Sequence, residues 1–86
     1  MKIEGMIMSG EFDRNAREFT IKKIKNCYTE TVVNEEQVEK LYAYCIRNKE
    51  TEEQILTLYD QVLIRLKKDE MGQLLSDLQN VISFYQ

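Results

Sequence analysis

At 86 residues the chain has room for one domain, and folding would bury only about 60–65% of the surface its unfolded form exposes. Its 43% apolar and 31% charged composition excludes a disordered chain, and the net charge of −3 weighs against a dedicated nucleic-acid binder. No apolar run approaches the ~18–20 residues of a membrane span. Proline is absent and there are only three glycines (Gly5, Gly10 and Gly72), too few turn residues for an ordinary all-β chain. The expectation is therefore an all-α fold, a small three- or four-helix bundle forming a single helical domain over 1–86.

Residues 1–9 form an N-terminal segment apolar enough to pack, with a short strand as one option. The stretch Met1–Met8 is too short and too broken for a signal peptide. With Cys27 and Cys45 suited to a reducing compartment, this gives a cytoplasmic expectation. A first helix is expected at about 10–28, with Ser9 as cap. Phe12, Ala16 and Phe19 share one face, and Ile21, Ile24 and Tyr28 share another, turned by more than about 100°. Residues 29–33 are mostly β-branched and read as an extended connector.

The second helix is expected at 34–47. Asn34-Glu35-Glu36-Gln37 has the capping-box pattern, and Val33 and Val38 can form a hydrophobic staple. Val38, Leu41, Tyr42 and Cys45 recur at helical spacing, and Asn48 is a stop. A third helix is expected at 51–68, opened by Thr51-Glu52-Glu53-Gln54. Its stripe is Ile55, Leu58, Tyr59, Val62 and Leu66, widened by Leu56 and Leu63. A fourth is expected at 70–85, where Met71, Leu74, Leu75, Leu78, Val81, Ile82 and Tyr85 keep helical spacing. Gly72 marks a bend there, or one long helix runs from 52 to 85. Acidic residues open each segment and basic residues close the first three, which complements the helix dipole.

Enzymatic chemistry has little support. There is no histidine, hence no common general base, and no catalytic residue is assigned. Cys27 and Cys45 fall on apolar faces and read as structural. The pairs Glu35/Glu36, Glu52/Glu53 and Asp69/Glu70 lie at expected helix starts, where the dipole accounts for them. No metal or cofactor site is read from them, and no small-molecule substrate is evident.

The most informative residues are hydrophobes off their stripes. Tyr44 leaves the Val38/Leu41/Cys45 face. Ile64 lies among Thr57, Asp60, Gln61 and Lys68 on the polar side of its expected helix. Phe84 lies opposite Leu78 and Ile82. Together they are the candidate protein-interaction residues. They point to a non-enzymatic module that binds a protein partner or itself, with a homodimer as the economical form. By analogy of size and class alone, bacterial or phage regulators and inhibitors are comparable. The alternative is a nucleic-acid-associated regulator using the basic face of residues 14–25: Arg14, Arg17, Lys22, Lys23 and Lys25.

Overall fold

A computed structural model describes residues 1–59 and 62–86. It overturns the all-α expectation. The described residues form six strands in two antiparallel sheets and two helices. Strands β1 (Lys2–Glu4), β2 (Met8–Asp13), β3 (Glu18–Ile24) and β4 (Cys27–Val33) make a meander in that order. Helix α1 (Glu35–Arg47) follows. A separate hairpin, β5 (Glu53–Thr57) and β6 (Leu63–Lys67), leads into helix α2 (Lys68–Tyr85).

The expected helix at 10–28 is thus β2, β3 and the start of β4. Burial alternates along β2, where Met8, Gly10 and Phe12 face the core, and on β3 through Phe19 and Ile21. Two register shifts interrupt the pairing, one between Ser9 and Gly10 and one between Ile21 and Lys23. On β3 the period-2 pattern slips by a residue there, from Ile21 to Ile24, whereas β2 and β4 keep it unbroken. At the first, Gly10 lies so close to β3 that a Cβ would come within 2.0 Å of the Thr20 carbonyl oxygen. The β2–β3 turn needs no glycine. Asp13 Oδ1 accepts from the Asn15 and Ala16 N–H groups, and Arg17 takes φ 52°.

Helix α1 begins where its capping box predicts. Asn34 Oδ1 accepts from Gln37 N–H and Gln37 Oε1 accepts from Asn34 N–H, both at 2.9 Å. Val33 and Val38 are both buried, as a staple requires. At the other end Asn48 turns its side-chain amide back onto the Tyr44 carbonyl, 2.8 Å away.

The expected helix at 51–68 is the β5–β6 hairpin, so neither a third bundle helix nor one long helix from 52 exists. Leu56, Leu58, Ile64 and Leu66 are buried at alternate positions. Thr51 N–H closes a turn onto the Asn48 carbonyl instead of capping a helix.

Helix α2 starts at Lys68. Glu70 reaches back to accept from Lys67 N–H at 2.8 Å and pairs with Lys25 at 3.2 Å. The Lys67 N–H bond, aided by the Lys25 ammonium, holds the Glu70 carboxyl below its ordinary value against partial desolvation. Its stabilising effect is therefore present at neutral pH and fades as the pH falls through that lowered value.

Gly72 lies inside α2 on an exposed turn, and nothing lies within 4 Å of a Cβ placed there. It marks no bend. Gly72→Ala is expected to raise stability by about 0.5–1 kcal/mol in a urea titration, since only helix propensity and unfolded-chain entropy change.

The two helices pack against each other. Helix α2 also touches β2 and β6, and α1 touches β4. One hydrophobic cluster draws on every element, from Ile3 of β1 to Tyr85 of α2. Tyr85 closes one end, with its hydroxyl donating to the Val33 carbonyl at 3.0 Å and Phe12 edge-on to its ring.

Candidate functional site

The two sheets differ in what they turn outward. The meander's outer face carries mostly charged residues, among them Lys2, Glu4, Glu11, Asp13, Glu18, Lys22 and Glu30, with Tyr28 and Val32 between them. The hairpin's outer side exposes apolar residues from Ile55 toward its turn end. Ile55 is 48% exposed, Tyr59 51% and Leu63 64%. Glu53, Arg65 and Lys67 frame them, with Glu53 and Lys67 directly opposite each other. Strand geometry explains the grouping: Leu56, Leu58, Ile64 and Leu66 point to the core, so odd-numbered neighbours must point away.

The hairpin's two edges also differ. The register pairs Glu53 with Lys67 through Thr57 with Leu63, without a bulge, and Leu58 N–H donates to the Val62 carbonyl. Counting back from that bond, Gln54 and Leu56 turn their main-chain groups toward β6. Glu53, Ile55 and Thr57 turn theirs away from it. On β6 two of the outward groups are covered. The Arg65 carbonyl accepts from Lys25 Nζ at 2.8 Å, and Lys67 N–H is held by Glu70. Among the described residues the β5 edge is open apart from a long 3.4 Å bond from the Tyr44 hydroxyl to the Ile55 carbonyl.

Beside that edge runs a groove of about 290 Å³ between α1 and β5, lined by Lys40, Leu41, Tyr44, Ile55, Leu56, Thr57 and Tyr59. Tyr44 is fixed there because its hydroxyl also accepts from the Gln54 amide. Hydrophobic face, open edge and groove are contiguous.

The three residues singled out in the sequence do not come together. Tyr44 lines the groove. Ile64 points inward and is 1% exposed, because a strand, not a helix, sets its direction. Of its expected polar neighbours, Asp60 and Gln61 lie outside the described residues. Phe84 is half-buried against Phe12, with ring centroids 6.0 Å apart, near the closed end of the core at Tyr85. Sequence reasoning missed Ile55, Tyr59 and Leu63 as exposed residues by assigning them to a buried helical stripe.

Nor do the basic residues of 14–25 form one face. Arg14 and Arg17 belong to the β2–β3 turn, and Lys25 to the turn at the opposite end of β3. Arg17 binds Glu35 and the Tyr85 carbonyl, Lys22 binds Glu30, and Lys25 binds Glu70. Lys23 lies over the Tyr28 ring, 5.2 Å from its centroid. A cleft of about 600 Å³ covers the β1–β2 turn beside Lys25 and Glu70. Its charged pair is already matched internally, and its main-chain donors are held by Asp77 from beneath.

Cys45 is fully buried, and burial pushes its thiol up to about 11, so it stays protonated at neutral pH. Cys27 is partly exposed, and both are free. A thiol-reactive dye at pH 8 is expected to label Cys27 first and Cys45 only on unfolding. Equal labelling rates in the native state would contradict this packing. No group of three or more His, Cys, Asp or Glu side chains among the described residues is placed to hold a metal ion. No described helix is long and apolar enough to cross a membrane.

No protein-family model matches the chain, and no curated protein or solved structure shows significant similarity to it.

Proposed function

We propose that the chain is a non-enzymatic protein-binding module whose contact surface is the outer face of the β5–β6 hairpin. One observation carries the reading: Ile55 and Leu63 are exposed on the outer face of a two-stranded ribbon, with Tyr59 exposed just beyond β5, while Leu56, Leu58, Ile64 and Leu66 are committed to the core. Exposed apolar residues scattered singly need no explanation. Three on one small hairpin, with Glu53, Arg65 and Lys67 beside them, match the mixture of apolar and polar residues at a protein interface. The partner is then a protein presenting an apolar patch of its own. Regulation or inhibition of that partner is the natural role for such a module. The buried, protonated Cys45 supports the non-enzymatic part of the reading.

The test is site-specific photo-crosslinking from position 65, directly opposite Ile55, in cells that express the chain. One discrete adduct is expected, abolished by Tyr59→Ser with Leu63→Ser and retained with Tyr28→Ser on the other sheet. Diffuse adducts, or adducts indifferent to the double variant, would overturn the proposal.

A further inference from the structure

We infer that the open edge of β5 pairs with β5 of a second copy, antiparallel and centred on Ile55, joining two hairpins into one four-stranded sheet. The inference builds on the same hairpin but concerns its edge, whereas partner binding concerns its face.

The edge is the starting point. An unpaired strand with apolar residues is a template for pairing, and natural proteins blunt such edges with lysine, proline, bulges or covering groups. On β6 the covering groups are Lys25 and Glu70. The β1 edge belongs to a strand of three residues with charges at both ends. Residues 53–57 contain no lysine, no proline and no bulge. Among the described residues their only cover is the 3.4 Å bond from Tyr44 to the Ile55 carbonyl, an oxygen with a second lone pair to offer.

The sequence of β5 is compatible with itself in this register. A two-fold axis at Ile55 sets Ile55 against its symmetry mate and Glu53 beside Thr57 of the other copy. No like charges face each other. Each Glu53 keeps its own Lys67 and Arg65 on the side away from the seam. The outward groups of Glu53, Ile55 and Thr57 then form about six main-chain hydrogen bonds across the seam. The outer row reads Arg65, Ile55, then Ile55 and Arg65 of the other copy, so two aliphatic side chains meet between two cations. Such a contact is isologous and closes on itself without leading to fibres. A seam of five residues buries less than the ~1,200 Å² of a standard interface, so the dimer is a weak, concentration-dependent one. Pairing leaves the outer faces open and sets the two exposed patches side by side in one sheet.

The experiment is light scattering behind size-exclusion chromatography from about 10 μM to about 1 mM, which spans the affinities such a seam allows. The mass is expected to rise from one chain toward two. Ile55→Lys places two ammonium groups on the axis, and Thr57→Pro removes an outward N–H without touching the β6 ladder. Each should weaken the dimer about tenfold or more. Leu63→Lys, off the seam, should leave it within about twofold. Circular dichroism at low concentration checks that each variant folds, and Ile55→Lys carries the test if Thr57→Pro does not. A wild type that stays one chain at the highest concentration overturns the inference. So does a dimer insensitive to both seam variants, or one lost with Leu63→Lys, which would place the contact on the face. A one-chain wild type that still forms the discrete adduct from position 65 leaves the partner-binding proposal standing.

Discussion

Asp77→Ala is expected to cost the fold about 3–5 kcal/mol, seen as a fall of about 15–30 °C in the melting temperature. Asp77 is buried midway along α2, where an uncompensated carboxylate would be expensive. It is compensated by three main-chain donors of the β1–β2 turn. Oδ1 accepts from Met6 N–H at 2.8 Å, and Oδ2 from Ile7 N–H at 2.8 Å and Met8 N–H at 2.9 Å. Alanine would strand all three donors at once, one of them fully buried, and this asymmetry makes the loss large. Asn offers one acceptor oxygen and one amide donor, so Asp77→Asn should recover only part of the loss. Gly5 belongs to the same device: a Cβ there would lie 2.3 Å from the Asp77 carboxyl group, so Gly5→Ala should displace it. A loss below about 1 kcal/mol for Asp77→Ala would contradict this account of how α2 holds the meander.

The second large effect separates two neighbours. Ile64→Lys is expected to cost about 4 kcal/mol or more, enough to unfold much of so small a domain. Leu63→Lys is expected to change stability by less than about 0.5 kcal/mol. The contrast follows from period 2 alone: Ile64 is 1% exposed and Leu63 is 64% exposed. On the helical reading Ile64 faced solvent and a lysine there would have been harmless. Chemical denaturation of the two variants therefore reads out which residues the hairpin turns inward.

That contrast also shows how far the fold was legible. Local chemistry was readable where one residue's side chain meets a neighbour's backbone. The capping box of Asn34 and Gln37, the Asn48 stop and the spacing from Met71 to Tyr85 all specify helix, and helix forms there. Residues 29–33 read as extended, and they lie in β4. Residues 51–68 misled for a physical reason. A strand with a polar outer face shows alternation plainly, but here the outer face is also apolar. Ile55 and Tyr59 from outside fall in line with Leu58, Val62 and Leu66 from inside, and the union imitates a helical stripe. The corrective signal was the inner series alone, Leu56 and Leu58, then Val62, Ile64 and Leu66, each two residues apart. In β3 the register shifts, and the glycine-free turns on either side of it, removed the usual strand markers. The residues that obscured the fold are thus the ones left exposed as the candidate surface. Of the residues singled out beforehand, only Tyr44 lies beside that surface.

The whole account depends on β5 being a strand with one side bonded and the other open. Residue-resolved amide hydrogen exchange at low protein concentration addresses this directly. Leu56 and Leu58 N–H are expected to be protected, while Ile55 and Thr57 N–H exchange quickly, an alternation that no helix produces. Raising the concentration should slow Ile55 and Thr57 selectively as the edges pair. Continuous protection from 53 to 66, as in a single helix, or rapid exchange at Leu56 and Leu58 as well, would contradict the hairpin and the site built on it.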